Sequence, residues 1–404
     1  MQLPPLRTVI FTPPTGRPCG KWMIRNTNVK FLADQYKDED NILQRWGVML
    51  KAINQAGSFI KKMYSDEKSL KLFLGPEWFF RKKNVMETDA QLAADPKIPL
   101  NYVPPFTQKE VISLIEKLLK DSQIEAYRSW LIVPGTIYWG KKGKQGRWDT
   151  YNLAVAFNNG KLHSLVHKQG NADVWADHEN WGTGDDLKKA IAESKNLIQE
   201  LKKRNIINKN EIVDTQGFFT CQNIRFGMDI CQDHDPTIRL MKETINATPR
   251  LNGRIEGRFP YCNVTDENGL DLALRQSFVD VHLLVSNGQA VNPNGVIARK
   301  GGIVVQADGS VSGIDSWNLK TDKFYGKPLA ERMDSARVYR IVNSWKGTSP
   351  NWKIEANLIR LDDSDNRIIQ PKPSADVYQR FIVFDDPLNL NTASVAVSSA
   401  ATLK

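Results

Sequence analysis

The chain has 404 residues, enough for one large domain or two smaller ones. Its four cysteines, at positions 19, 221, 231 and 262, show no CxxC spacing, which argues against a zinc site or a disulfide framework. The first residues lack the pattern of a signal peptide and no long apolar run occurs, so we expect a cytoplasmic protein without a membrane partner. The net charge of +10 could suit nucleic acid, but no basic block alternates with aromatic residues, so nucleic acid is disfavoured.

The first third of the chain alternates strands with helices. A strand at 6–12 precedes a helix at about 39–65, whose apolar residues recur every three or four positions: Ile42, Trp46, Met49, Ile53, Ala56, Ile60 and Met63. A second strand follows at 71–77. Thr107 and Glu110 then predict a capping box at the start of another helix, and a strand is predicted at 130–133.

The remainder continues the same pattern. Asn158-Asn-Gly160 predicts a hairpin turn between strands at 151–157 and 161–168, followed by a charged helix at about 185–204. Further strands are predicted near 219–231, 281–286 and 302–306. This alternation favours one large layered α/β domain over 1–386, with insertions at about 170–215 and 236–280. The tail at 387–404 is predicted to fray or to pack on a partner subunit.

Three residues with catalytic chemistry stand at the ends of apolar strands. Cys231 follows the run Asn223–Ile230, Glu77 ends the second strand, and Lys168 ends the hairpin. A cysteine attacks carbon as the thiolate, and a nearby carboxylate can accept its proton. A lysine can then stabilise the oxyanion that forms. Together the three residue types predict a hydrolytic site built around a cysteine nucleophile.

Five segments, in this order along the chain, resemble the nitrilase or carbon–nitrogen hydrolase superfamily. They are Leu72–Glu77, Tyr151–Phe157 with its strand to Lys168, Gly227–Asp233, Leu283–Gly288 and Gly301–Gly309. The resemblance implies an α/β fold of the nitrilase type, a four-layer α-β-β-α sandwich. It also implies a Glu77, Lys168 and Cys231 triad that works without a metal or an organic cofactor, and at least a homodimer.

The resemblance implies an amidase that cleaves a non-peptide C–N bond of a small molecule through a thioester acyl-enzyme. Glu77 is the predicted general base, and Lys168 is joined at the oxyanion by the backbone N–H of Gln232. Two alternatives stay open: nitrile hydrolysis, and N-acyl transfer to an amine on the same acyl-enzyme. So does a non-enzymatic alternative, an inactive basic scaffold.

Further site residues are predicted. A second glutamate of the family is assigned to Glu179, in the run Glu179-Asn-Trp181-Gly, with Asp177 as its competitor. The predicted substrate-binding residues are Trp78, Gln232, Trp181 and Asn287. The family usually has an aromatic residue at the position of Gln232, and the aspartate that follows here favours amide over nitrile chemistry.

Other reactive side chains have plainer interpretations. Cys221 and Cys262 are expected to be structural. His234, three residues after Cys231, raises a cysteine–histidine dyad, although adjacent turns rarely give the needed geometry. His163 and His167 share a strand face at the i, i+4 spacing, but no third metal ligand is evident, so no metal site is predicted.

The second predicted insertion is basic. It carries five positive residues close to the nucleophile: Arg239, Lys242, Arg250, Arg254 and Arg258. Some could bind a carboxylate or phosphate on an anionic substrate. The alternative is that all five face solvent, and the sequence leaves both possibilities open.

Overall fold

The computed structural model describes the chain at residues 3–11, 41–64, 68–81, 105–142, 148–168, 186–234, 239–240, 243–244, 278–286, 289, 291–309, 317–318, 323–324, 336–346, 353–361, 368–369, 381–384 and 390. The helices described are α1 (Ile42–Met63), α2 (Gln108–Ser122) and α3 (Asp186–Lys203). The strands, in chain order, are β1 (Leu6–Phe11), β2 (Leu70–Leu74), β3 (Phe106–Thr107), β4 (Trp130–Val133), β5 (Thr136–Lys142), β6 (Trp148–Asn158), β7 (Lys161–His167), β8 (Phe218–Cys221), β9 (Ile224–Ile230), β10 (Arg239–Leu240), β11 (Glu243–Thr244), β12 (Val279–Ser286), β13 (Ala298–Asp308), β14 (Trp317–Asn318), β15 (Lys323–Phe324), β16 (Ala336–Lys346), β17 (Lys353–Arg360), β18 (Ile368–Ile369) and β19 (Phe381–Phe384).

Two sheets form the centre of the molecule. The nine-stranded sheet has the order β18-β19-β1-β2-β4-β6-β5-β3, with β7 also paired to β6. The six-stranded sheet has the order β17-β16-β13-β12-β9-β8. Strands β1, β2 and β4 are parallel in the first sheet, and β9, β12 and β13 are parallel in the second. Each sheet therefore gathers the carboxyl ends of several strands at one edge.

The side chains of the central strands divide between two cores because successive residues of a strand point to opposite faces. On β2, Leu72 belongs to the apolar core between the two sheets, which also contains Met228 and Leu283 of the second sheet. Phe73, its neighbour, belongs to the core that the helices form on the other face of the first sheet. The order is therefore helices, first sheet, second sheet.

The helices begin where local chemistry predicts. Asn41 caps α1, its side chain accepting a hydrogen bond from the Leu43 N–H. The predicted capping box is present at α2, with the Thr107 side chain bound to the Glu110 N–H and the Glu110 side chain bound back. Both helices and α3 bury apolar faces in the same core, and the layered α/β sandwich is confirmed. A helical layer on the far side of the six-stranded sheet is not found within the described ranges.

Several elements differ from the sequence prediction. The stretch at 219–231 is a hairpin, because Gln222 and Asn223 adopt positive φ values of 47° and 67° and turn the chain between β8 and β9. The strands β16, β17 and β19 were not predicted. In the predicted tail, Leu390 is fully buried in the chain's own inter-sheet core. Among the described helices, none is both long and apolar enough to cross a membrane.

Candidate active site

Glu77 is held by a tight turn at the carboxyl edge of the nine-stranded sheet. The Gly75 N–H donates to the Val133 carbonyl at 2.8 Å, so the chain leaves β2 in contact with the end of β4. Gly135 has a φ of +89°, and a Cβ there would lie closer than 3.0 Å to the Pro76 carbonyl oxygen. Only glycine permits this close approach of the two turns, which fixes the direction in which Glu77 leaves the sheet.

A buried ion pair joins Glu77 to Lys168. The Lys168 Nζ donates to Glu77 Oε1 at 2.7 Å, and the two side chains are 3% and 0% exposed. The Asn152 side chain on β6 donates to the same oxygen at 2.8 Å, and the backbone carbonyl of Asn152 accepts the backbone N–H of Lys168 at 2.8 Å. Removal of either charge would leave the other buried without its counterion, so the pair is strongly interdependent.

Trp78 completes this half of the site. Its backbone has a φ of +62°, an uncommon conformation for a residue with a side chain. The backbone N–H of Trp78 donates to Thr136 Oγ1 at 2.8 Å, which anchors the turn. The Trp78 ring centroid lies 6.0 Å from the Lys168 Nζ. An aromatic ring at this distance from the ammonium group can form one wall beside the ion pair.

Cys231 stands at the carboxyl end of β9, where a 3-10 turn spans Cys231–His234. Its backbone φ is +48°, a left-handed conformation that a residue with a side chain adopts only when its surroundings impose it. Cys231 is not part of a disulfide, and the residue is buried. The strand therefore delivers the cysteine into a sharp turn that redirects the chain immediately after it.

Ser286 links the two halves of the site. On the six-stranded sheet, Val285 pairs with Ile230, so Ser286 lies beside Cys231 at the edge. The Ser286 carbonyl also accepts the backbone N–H of Glu77 from the other sheet, at 3.3 Å. Neighbouring strands lie ~4.8 Å apart, so the backbone of Cys231 is about one strand spacing from that of Ser286. The backbone of Ser286 is in turn one hydrogen bond from that of Glu77. The structure thus brings all three predicted strand-end residues to one edge of the sandwich.

Cys221 differs sharply from Cys231. It is buried at the end of β8, and burial raises the pKa of its thiol to about 12, with the Lys161 charge opposing this shift only in part. A thiol with such a pKa is not ionised at neutral pH and is a poor nucleophile. This environment agrees with the structural role predicted for Cys221.

The predicted shared face of His163 and His167 is wrong. The pairing of β6 with β7 shifts register beside His163, so the His163 side chain lies on the opposite face of the sheet from the one that the i, i+4 spacing predicts. The His163 ring packs against Phe219, which belongs to the inter-sheet core, with the two ring centroids 6.2 Å apart. His167 instead accepts a hydrogen bond from the Trp139 Nε1 at 3.0 Å and contacts Ser194 of α3. The two rings therefore cannot bind one metal ion.

The His234 dyad is also excluded by geometry. Its Nδ1 lies 3.3 Å from Asp229 Oδ2, and its Nε2 accepts the Asn292 N–H at 3.0 Å. Both ring nitrogens are occupied, so neither is free to take the proton of Cys231. The residue is fully buried at the end of the 3-10 turn.

Several predicted residues lie outside the described residues. These are Glu179 and its competitor Asp177, the predicted substrate-binding residues Trp181 and Asn287, the cysteine Cys262, and four of the five basic residues of the second insertion. The backbone of Arg239 lies in the short strand β10, and that of Gln232 in the 3-10 turn, but neither side chain is described. The roles assigned to these residues stay predictions.

Two residues of the site were not singled out from the sequence. Asn152 was quoted only as part of the Tyr-Asn-Leu-Ala run, yet it is the polar contact of Glu77. The signal that could have identified Asn152 was a polar amide between apolar neighbours on a central strand. Ser286 ends an apolar strand in the same way as Cys231, and its carbonyl joins the sheets. No local sequence pattern predicts that a backbone carbonyl will join two sheets.

No protein-family model matches the chain, and no curated protein matches it either. Solved structures do match. A variant of the Nesterenkonia AN1 amidase from the nitrilase superfamily has 10% identity over 97% of this chain and 95% of the amidase, with a TM-score of 0.31. Another variant of that amidase carries the acetamide moiety of fluoroacetamide on its active-site cysteine, with 11% identity, 90% and 92% coverage and a TM-score of 0.30.

The glutamine-dependent NAD+ synthetase from Acinetobacter baumannii matches with 13% identity over 75% of this chain, with a TM-score of 0.30. The match covers 38% of that synthetase, and 36% of a second one from Cytophaga hutchinsonii, so this chain spans little more than a third of either. The matched amidase comes from the superfamily that the motifs resemble, and at 10% and 11% identity that superfamily stays a prediction for this chain. All of these TM-scores lie below 0.5, so the roles of individual residues rest on the chain's own geometry.

Proposed function

We propose that this chain is a nitrilase-superfamily enzyme, a cysteine-dependent hydrolase that cleaves the C–N bond of a small non-peptide amide. The observation that carries the proposal is the buried Lys168–Glu77 ion pair of 2.7 Å at the edge where Cys231 begins its turn. A carboxylate, an ammonium group and a thiol gathered there supply a base, an oxyanion partner and a nucleophile.

The reaction begins with transfer of the Cys231 thiol proton to Glu77 as the sulfur attacks the amide carbon. The carbonyl oxygen becomes an oxyanion, which Lys168 and the backbone N–H of Gln232 stabilise. Collapse of this intermediate breaks the C–N bond, and Glu77 returns its proton to the departing amine. Water then attacks the thioester with Glu77 again as base, the C–S bond breaks, and Glu77 returns the proton to the Cys231 sulfur as the carboxylic acid leaves. The sum is amide plus water to acid plus amine.

The ion pair gives this sequence an electrostatic advantage. Before attack, Lys168 is paired with the negative charge of Glu77. When Glu77 accepts the proton it becomes neutral, and at the same moment the negative charge appears on the substrate oxygen. The Lys168 charge therefore exchanges one anionic partner for another inside a site with little water, where such interactions are strong.

The experiment is a panel of small amides and nitriles, followed by mass spectrometry of the intact protein and of its Cys231 peptide. An acyl adduct at Cys231 with release of acid and amine is expected. Hydroxylamine added to the reaction distinguishes acyl transfer from hydrolysis. If the enzyme accepts an amine in place of water, the hydroxamate forms faster than the carboxylic acid. Absence of any adduct across the panel would favour the inactive scaffold.

The proposal includes a homo-oligomer, which the family resemblance implies. Light scattering at micromolar protein concentration should give a mass of at least two chains of 45.8 kDa. A monomer under these conditions would remove the oligomer from the proposal without affecting the chemistry.

A further inference from the structure

Three buried side chains form a hydrogen-bonded cluster behind the turn that carries Cys231. Asp229 lies on β9 two residues before Cys231, His234 ends the turn, and His282 lies on the neighbouring strand β12. Asp229 Oδ2 is 3.1 Å from His282 Nε2 and 3.3 Å from His234 Nδ1. All three side chains are fully buried. None of them has a part in the chemistry proposed above.

Backbone contacts fix the protonation of both rings. The Asn292 N–H donates to His234 Nε2 at 3.0 Å, and the Ile297 N–H donates to His282 Nδ1 at 3.2 Å. A nitrogen that accepts a hydrogen bond carries no proton, so in each neutral ring the other nitrogen must carry it. His234 and His282 are therefore both donors to one carboxylate oxygen of Asp229.

The pKa directions agree with this assignment. Burial lowers the pKa of His282, which favours its neutral form. Burial by itself would raise the pKa of Asp229, but the hydrogen bonds that it accepts from His234 and His282 outweigh burial and lower that pKa. The cluster is therefore a carboxylate that accepts from two rings, and burial keeps His282 neutral.

The same contacts argue against a metal ion at this cluster, although the three ligand atoms lie within 4.8 Å of one another. A metal would need the lone pairs of the two inner nitrogens, which would move their protons to the outer nitrogens. Those protons would then face the N–H groups of Asn292 and Ile297, donor against donor. The arrangement fits hydrogen bonding and not metal coordination.

The loop at 291–297 locks the cluster against the nucleophile turn. A Cβ at Gly295 would lie closer than 3.0 Å to the carbonyl oxygen and the ring of His234, so the loop packs on this residue without space for a side chain. Val296 and Ile297, which follow, are fully buried. The last residue of the turn is therefore held from both sides, by Asp229 and by the loop.

We propose that Asp229, His234 and His282 are a positioning network, which holds the left-handed turn at Cys231 and so aims its Sγ and the Gln232 N–H at the substrate. The inference rests on the proposed nucleophilic role of Cys231. A residue at a φ of +48° needs surroundings that over-determine its conformation. The network supplies them by joining the strand before the turn, the end of the turn and the neighbouring strand.

The test measures alkylation by iodoacetamide at Cys231 and at Cys221 separately, by peptide mass spectrometry across a range of pH. Cys221 reports general loosening, because a buried thiol of raised pKa reacts only when the structure opens. The variants are Asp229→Leu, which removes the acceptor, and Asp229→Asn, whose side-chain oxygen can still accept both N–H groups. Gly295→Ala displaces His234 without removing a polar group, in case Asp229→Leu fails to fold.

Asp229→Leu and Gly295→Ala should slow Cys231 alkylation about tenfold, because each loses one or more buried hydrogen bonds. The pH profile of Cys231 alkylation should change as well. Asp229→Asn should stay within about threefold of the unaltered chain for the same reason. Cys221 should be unaffected in all three. The matched control is His163→Asn, a change of a half-buried histidine outside the network. The His163 ring packs on Phe219, the strand partner of Phe226, which lies five residues before Cys231.

Two results would overturn the network. One is unchanged Cys231 alkylation in folded Asp229→Leu or Gly295→Ala protein. The other is faster alkylation of both cysteines together, which would reveal a purely structural role. If Cys231 of the unaltered chain reacts no faster than Cys221, the proposed function fails instead, so the two failures are distinguishable.

Discussion

Glu77 and Lys168, on the nine-stranded sheet, are held by direct contact between opposite charges. Cys231, on the six-stranded sheet, stands in a left-handed turn, next to hydrogen bonds between two histidine rings and the Asp229 carboxylate. Lys168 contacts one buried oxygen of Glu77, and a single substitution removes this contact. The turn is supported by several contacts, each of modest strength. Changes of charge should therefore act chiefly on the first half of the site, and changes of packing or protonation on the second.

The largest expected effect separates the two cysteines. Cys231→Ala should abolish adduct formation and turnover while leaving the fold intact, because a methyl group replaces the only proposed nucleophile. Cys221→Ala should keep its activity, since the thiol at 221 is buried with a pKa raised to about 12. Mass spectrometry and turnover of the most reactive amide check both. The reverse pattern would assign the nucleophile to the wrong strand.

Glu77→Gln should lower turnover at least about a hundredfold, the lower part of the range for removal of a general base. It should also lower the melting temperature, because the buried Lys168 charge then loses the Glu77 carboxylate that contacts it at 2.7 Å. The double variant Glu77→Gln with Lys168→Met is the control. It should recover part of the melting temperature yet remain inactive, and recovery of activity would show that neither charge serves catalysis.

Asn152→Leu should lower kcat/KM about tenfold, because it removes the amide that donates to the Glu77 oxygen. The matched control on the same strand is Asn158→Ala. The Asn158 side chain donates to the carbonyls of Arg128 and Trp130, so its loss should reduce stability without reducing activity. Equal losses of activity in the two variants would mean that Asn152 only supports the strand.

Acid should weaken the fold gradually. Burial lowers the pKa of His163 to about 4, with the Lys161 charge adding to the shift, and burial also lowers the pKa of His282. In the unfolded chain both histidines take up protons near pH 6.5, so between pH 6.5 and their folded pKa values the unfolded state binds more protons. The melting temperature should fall as pH drops below 6.5. The lowered pKa of Asp229 adds a further loss below about pH 3.8.

A series of melting curves between pH 8 and pH 4 checks this direction. His163→Gln should make the decline shallower, because a glutamine does not titrate there. The contribution of His282 should remain in that variant. A melting temperature that stays level or rises from pH 7 to pH 5 would contradict the assignment of neutral buried histidines.

Much of the fold could be predicted because it depends on neighbours in the chain. The apolar period of α1, the capping box at Thr107 and the turn at Asn158 each involve residues a few positions apart. The strand-end positions of Glu77 and Cys231 follow in the same way from apolar runs and the polar turns after them. Hairpin β8–β9 was missed because its turn residues, Gln222 and Asn223, are not the usual glycine signal.

Which residues end the strands, and which chemistry they carry, can be read along the chain because both are local properties. Which of these residues meet depends on the three-dimensional fold. The contact of Asp229 with His282 spans 53 residues, and that of Asn152 with Glu77 spans 75. A shift in the pairing register places His163 on the other face of its strand, and the residue composition of the strand does not predict that shift. Such pairings depend on how strands align across a sheet, and the periodicity of a single strand does not contain that alignment.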